Sequence, residues 1–389
     1  MSACLMALRN GWRFTYALGA TLNTFTWGLY FSFTRYYLGI ELGGGTSALI
    51  LITGLEWVFT LFAVVSGRLV RRIGGRSVTL LGISGALPLL AGLKVHDPNI
   101  LAIVLSLASF SWAIAWPSIL LAVFSGDNIT PGRAYSYFTI GSGVGYSLGS
   151  TLMGVFYNFA GSGGVFTTLA AMYVVTFLTF YILYPTRELQ QRKTDDYKGE
   201  LDVIHSLLPI LVAFSLIVFS RELLYSVGPV KLASEIRKLL PTYSEVVEYT
   251  VFGAVFGGIT ALISVPARIV AGRLSDRFNP LYILASTGVA YLITYWIFVS
   301  TEGLIPIIIW QLPLYPFLDV SVNTYIAKYV PKHAMALGFG TVLTFSAIGG
   351  LMLLPILMNP EVRADFLGFL VSIAVIIAVT LISIKTIKR

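Results

Sequence analysis

The sequence predicts an all-α integral membrane protein whose twelve transmembrane helices form two pseudo-symmetric six-helix bundles. Three observations carry this. Of 389 residues, 56% are hydrophobic and only 11% charged, with a mean hydropathy of +0.82; a soluble domain carries about 25% charged residues, and a soluble chain of this length needs polar exteriors for about two domains. Apolar runs of the length that crosses a bilayer, about 20 residues, recur between charged or Gly/Pro-rich breaks. Finally, two loops and two span starts repeat between the first and second parts of the chain.

The runs place spans 1 to 6 at about 14–38, 46–67, 77–95, 99–124, 133–158 and 164–184, and spans 7 to 12 at about 205–228, 249–272, 280–300, 304–327, 334–358 and 364–385. They are continuous rather than alternating and about twice as long as a tilted transmembrane strand, which disfavours a β-barrel. The basic-then-apolar start, Arg9 to Gly19, looks like a signal peptide, yet its apolar run continues past Tyr30 without a small-residue cleavage site and is expected to stay as span 1. The organisation expected is an N-terminal bundle over 1–184, a polar linker over 185–204 and a C-terminal bundle over 205–389. In the polar stretch from Lys231 to Glu248, Leu232, Ile236, Leu239 and Leu240 recur at helical spacing, predicting a short amphipathic helix at the outer interface.

The net charge of +8 is distributed over short loops rather than one face, so no nucleic-acid partner is expected. With a cytoplasmic N-terminus, Arg68, Arg71, Arg72, Arg76, Arg133, Arg273, Arg277, Lys328 and Lys332 all fall inside, together with the linker and the basic C-terminus, while the opposite side receives few cations. The positive-inside rule therefore predicts a multi-pass protein of the cytoplasmic membrane with both termini cytoplasmic. One cysteine, Cys4, makes no disulfide framework and no Cys-x-x-Cys site. The sequence contains no phosphate-binding Gly-x-x-x-x-Gly-Lys loop, no His-Glu-x-x-His and no Gly-x-Ser-x-Gly. No enzyme, metal site or cofactor is expected.

The repeat is specific. After span 2 the chain reads Gly67-Arg68-Leu69-Val70-Arg71-Arg72-Ile73-Gly74, and after span 8 Gly272-Arg273-Leu274-Ser275-Asp276-Arg277-Phe278; Pro131-Gly132-Arg133-Ala134 at the start of span 5 aligns with Pro331-Lys332-His333-Ala334 at the start of span 11. At these residues the chain resembles the major facilitator superfamily, whose loop between spans 2 and 3 is Gly-x-Leu-x-Asp-Arg-x-Gly-Arg. The first copy has Arg71 where the family usually has aspartate, and the second keeps Asp276. The resemblance implies alternating access between two bundles, with Gly67, Arg72, Gly272, Asp276 and Arg277 in a conformational latch on the cytoplasmic side. Gly141, Gly145 and Gly149 share one face of span 5, a frame that looks like the glycine motif of the family's exporters except that Tyr146 stands at its proline; tight helix packing is the plainer reading.

Ionisable side chains at membrane depth cost at least about 2.5–3.5 kcal/mol, which makes each a candidate for function. Glu56 lies ten residues from Thr46, about 15 Å from the outer end of span 2. Gln311, Tyr315, Asp319 and Asn323 recur every fourth residue of span 10 beside the helix breakers Pro313 and Pro316. Arg221 and Glu222 are adjacent on span 7 and point about 100° apart, suited to anion binding or to an ion-pair gate. Arg35 is read as a site residue or a snorkelling one, and Arg268 as snorkelling. Asn23, Trp27, Tyr30 and Thr34 on span 1, Trp112 on span 4, and Tyr135, Thr139, Ser142 and Tyr146 on span 5 suit hydrogen bonding to a small polar ligand.

Together these predict a monomeric secondary active transporter moving a small organic solute, coupled to protons through Glu56 or Asp319. An uncoupled facilitator or an amphiphile flippase is the alternative class.

Overall fold

The computed structural model describes residues 12–124, 130–185, 197–239, 251, 253–357 and 364–387, and no β-strand occurs among them. The N-terminal spans are Trp12–Tyr36, then Gly45–Thr60 continued by a tighter turn Leu61–Val65 and by Ser66–Ile73, then Gly75–Ala91, then Pro98–Phe124. Spans 5 and 6 follow within Pro131–Leu183 and part at Gly161, whose φ of 63° and ψ of −175° only glycine adopts without strain. The C-terminal spans are Tyr197–Leu239, a π turn Ala254–Gly258 leading into Ile259–Arg277, Pro280–Ser300, Leu304–Trp310 with Leu314–Tyr329, Met335–Leu351 with Leu354–Leu357, and Ala364–Ile387.

Eight of these helices are long and apolar enough to cross a membrane, and Gly75–Ala91 and Met335–Leu351 are apolar but shorter. Spans 1 and 5 complete the twelve. Their Gly, Ser and Thr content makes them less oily, and those residues are turned on one another: Gly141, Gly145 and Gly149 abut Thr21, Thr24 and Phe25, Gly28 abuts the backbone of Tyr146 and Ser150, and Ser32 shares a 2.8 Å hydrogen bond with Ser150. Without side chains in the way, the two backbones approach closely and gain dispersion contacts that lipid cannot supply.

The same device joins the halves. Span 5 crosses to span 8, where Gly132 and Gly272 abut and Ser136 Oγ donates to the Arg268 carbonyl at 2.7 Å. Span 2 crosses to span 11, where Gly67 rests on the Leu337 backbone, Gly340 on Ala63 and Val64, and Thr344 Oγ1 donates to the Leu61 carbonyl at 2.9 Å. Each seam pairs the second span of one half with the fifth of the other, as an internal two-fold repeat requires.

One local expectation is corrected. Residues 231–239 do not form a separate outer amphipathic helix; they continue the span 7 helix to Leu239, which passes through Gly228 and Pro229 at the loss of one backbone donor without ending there, and the rest of that stretch lies outside the described residues. Glu235 ties this extension down, accepting from Lys238 Nζ at 2.9 Å and Gly303 N at 2.8 Å, bonds that hold its carboxyl below the usual carboxylate range. Span 10 is broken where its prolines predict: Pro313 has no N–H to continue the ladder, so the helix stops at Trp310 and restarts at Leu314, with Pro316 tolerated in the new first turn.

Replacing Gly145 with valine is expected to lower stability by about 1–3 kcal/mol, because the added carbons meet the Thr21 carbonyl. Gly154→Ala, where no atom lies within 4 Å, is the control expected to leave the Tm of purified protein unchanged.

Candidate functional site

Hydrocarbon tolerates a buried charge only when it is neutralised, and three arginine–carboxylate pairs inside the bundle meet that condition. The first lies in the N-terminal half. Arg35 of span 1 grips Glu56 of span 2 with both arms, Nη2 to Oε2 at 2.5 Å and Nη1 to Oε1 at 3.1 Å, while Tyr30 OH donates to Oε1 at 2.9 Å. Arg35 therefore does not snorkel, since a bidentate carboxylate within the protein satisfies its fork. Its guanidinium also lies over the Phe31 ring, 4.5 Å from the centroid.

An aromatic wall adjoins this pair. Trp27 meets Tyr30 and Trp112 edge-on at 5.1 and 5.9 Å, and Trp112 stacks on Trp116 at 5.2 Å. The indole N–H groups of Trp27 and Trp112 are buried with no acceptor among the described residues. Asn23 is buried two turns before Tyr30 on the same span.

In the C-terminal half, adjacent Arg221 and Glu222 bend together instead of diverging, with Arg221 Nε donating to Oε1 at 2.9 Å and Nη2 adding a second bond. The third pair, Arg268 with Asp319, also lies in the C-terminal half but takes a partner from the other one. Asp319 of span 10 accepts from Tyr135 OH of span 5 at 2.8 Å on Oδ2 and from Asn323 Nδ2 at 3.0 Å on Oδ1. Arg268 of span 8 stands 3.7 Å from Oδ2, beyond hydrogen-bonding reach. Between Arg221 and Arg268 lies the Tyr315 ring, its centroid 5.6 Å from each guanidinium carbon.

Gln311, expected in the same stripe, is turned away by the break at Pro313. Its Nε2 donates to the Val255 carbonyl at 2.9 Å and its Oε1 accepts from Thr260 at 2.7 Å, while Trp310 Nε1 donates to the Phe256 carbonyl at 2.9 Å. The π turn of span 8 frees these carbonyls, and span 10 satisfies them.

Further along lies the side carrying the repeated loops. Asp276 caps the first turn of span 5: it accepts from Gly132 N at 2.9 Å and Arg133 N at 3.0 Å and bonds the Thr130 hydroxyl. Negative charge is favoured there by the free N–H groups and the helix dipole. Lys328 closes the other end of that contact, donating to the Ser275 carbonyl at 2.7 Å. Phe124 stacks on Phe339 across the halves at 5.0 Å. Among the five latch residues, Gly67, Gly272 and Asp276 thus touch the opposite half, whereas Arg277 lies over its neighbour Phe278 at 5.5 Å and Arg72 is exposed.

The sequence matches the Major Facilitator Superfamily over residues 16–353. The chain belongs to that superfamily. Solved structures of superfamily transporters share the fold: the nucleoside transporter NupG (TM-score 0.68, 14% identity, 96% of this chain and 99% of that one), the E. coli fucose:proton symporter FucP (0.67, 11%, 98% and 99%) and the human organic anion transporter MFSD10 (0.68, 13%, 95% and 99%). No curated relative matches the sequence.

Sequence reasoning assigned Arg268 to snorkelling and read Asp319 either as a transport residue or as paired with an arginine at a helix–helix contact, without saying which arginine. The signal that links them is charge balance, because a buried carboxylate implies a cation and Arg268 is the buried arginine of the adjacent seam, 6% exposed.

Arg35→Gln, which strands a buried carboxylate, is expected to cost about 3–5 kcal/mol. The double variant Arg35→Gln with Glu56→Gln is expected to recover more than half of that in a thermal-melt double-mutant cycle.

Proposed function

We propose that this superfamily member is a proton-coupled secondary transporter that carries a small organic solute across the cytoplasmic membrane by alternating access, with Asp319 as its coupling acid. The loop-bearing side is the cytoplasmic one, by its excess of Arg and Lys, and the latch contacts described above hold that side closed.

The observation that supports the reading is the position of Asp319. Its carboxylate is held at once by Tyr135 of the opposite half and by its own half through Asn323 and Arg268, so it belongs to a contact that must part when the cytoplasmic side opens. A hydrogen bond to a charged group contributes about 1.5–3 kcal/mol, and taking up a proton removes that charge. Protonation therefore shifts the balance between the two states by an amount comparable to a conformational equilibrium constant. Glu56, by contrast, is bonded within one half and does not change partner when the halves rock. The Trp27 and Trp112 N–H donors and the Arg221–Tyr315–Arg268 row are the groups proposed to receive solute.

In proteoliposomes with an imposed inward proton gradient, Asp319→Asn is expected to lose uphill accumulation by at least about tenfold while keeping solute exchange across the membrane. Undiminished accumulation in that variant removes Asp319 from coupling; wild-type transport that ignores collapse of the gradient identifies an uncoupled facilitator instead.

A further inference from the structure

We infer that Arg268, roofed by Tyr315 and flanked by Arg221, is an anion subsite between spans 7, 8 and 10, uncovered when Asp319 takes up a proton, so that the transported solute is an organic anion carried with a proton. This rests on the transport reading above and names the substrate class of that site.

The three arginines differ in how well they are satisfied. Arg35 and Arg221 each make two hydrogen bonds to a carboxylate. Arg268 does not: its side chain is 7% exposed, its acid stands 3.7 Å away, and its Nε and Nη1 have no acceptor among the described residues. A buried guanidinium with idle donors is a site for an acceptor that arrives from outside, and the planar cation favours carboxylate or sulfonate oxygens. Asp319 does not supply that acceptor in this arrangement, because its Oδ2, which accepts from Tyr135, stands 3.7 Å from Nη1 and its Oδ1 accepts from Asn323. Tyr315, 40% exposed, gives the access that Arg268 itself lacks, and its ring touches both guanidinium groups.

Charge balance completes the argument. Arg221, Glu222, Arg268 and Asp319 sum to zero. The groups facing Asp319 are Tyr135 from span 5, Arg268 from span 8, Arg221 from span 7, and Tyr315 and Asn323 from its own helix. A proton bound to Asp319 leaves the cluster with one net positive charge, which a monoanion restores to zero before the charge crosses hydrocarbon. The neutral acid also has somewhere to donate: Asn323 Oδ1 is buried without a partner, and turning that amide over presents it to the Asp319 O–H. Solute and proton thus enter one neutral assembly, with no bond made or broken apart from proton transfer to the Asp319 carboxylate.

The test is equilibrium binding to purified full-length protein, read by intrinsic tryptophan fluorescence and by thermal shift, with benzoate and benzenesulfonate against the neutral benzamide and benzenesulfonamide. Both anions are expected to bind at least about tenfold tighter at about pH 5.5 than at about pH 7.5, and both amides to show no pH-dependent binding. Asp319→Asn is expected to bind the anions at about pH 7.5 as tightly as the unaltered protein does at about pH 5.5. Arg268→Lys, which keeps the charge and the fold, is expected to weaken them about tenfold, and the neutral pair Arg268→Gln with Asp319→Asn, monodisperse by size exclusion, to abolish binding. Equal binding of anions and amides, no binding of either anion, or anion binding retained in the neutral pair overturns the subsite. Proton-driven uptake of an uncharged solute alongside absent anion binding overturns the subsite alone, whereas anion binding without any proton-driven uptake leaves the subsite standing and overturns the transport reading.

Discussion

A carboxylate cannot sit in hydrocarbon alone, and much of the interior of this protein follows from meeting that constraint three times. Each pair is met with a different geometry. Arg35 and Glu56 form a two-pronged clasp between neighbouring spans of one half; Arg221 and Glu222 close on each other along a single helix; Arg268 and Asp319 share a looser contact to which the opposite half contributes a tyrosine. The first two resemble internal struts. The third is the one whose geometry depends on how the halves are docked, which is why it carries the functional argument.

The second constraint is that backbone polar groups find partners when a helix is irregular. Span 8 contains a π turn and span 10 a break at Pro313, and the two irregularities face one another. Gln311 and Trp310 reach from the break to carbonyls released by the turn. Neither irregularity is satisfied by itself; together they form a closed set of hydrogen bonds, which leaves span 10 free to aim Tyr315 and Asp319 inward from a helix restarted at Leu314.

Most of the fold was legible because the bilayer writes it into composition: run length, charge spacing and the loop repeat each follow from the solvent. The span starts at Pro98, Pro131 and Pro280 agree with the sequence boundaries to within a few residues, because a proline at the first turn and a polar loop before it leave little freedom. The continuation of span 7 beyond Gly228 was not legible, since Gly228-Pro229 reads as a break and an amphipathic pattern looks the same whether it starts a helix or extends one. In the site, residue type and depth marked Glu56, Asp319, Tyr30 and Arg35, but pairing is a property of helix rotation and seam contacts. Arg268 illustrates the gap. Its position near the end of span 8 suggested an escape to the interface, and the glycine-lined approach of span 5 turned it inward instead.

The duplicated loops are no longer equivalent, and that has a mechanical consequence. Asp276 anchors the first turn of span 5, whereas the matching position in the other half is Arg71, which brings no acidic group to the first turn of span 11. The contact there includes the shape fit of Gly67 against Leu337 and the hydrogen bond from Thr344 to the Leu61 carbonyl. The two seams are thus matched in span order and unlike in chemistry: a carboxylate caps a helix across one of them and has no counterpart at the equivalent place in the other, so a scaffold built by repetition is held by dissimilar fastenings.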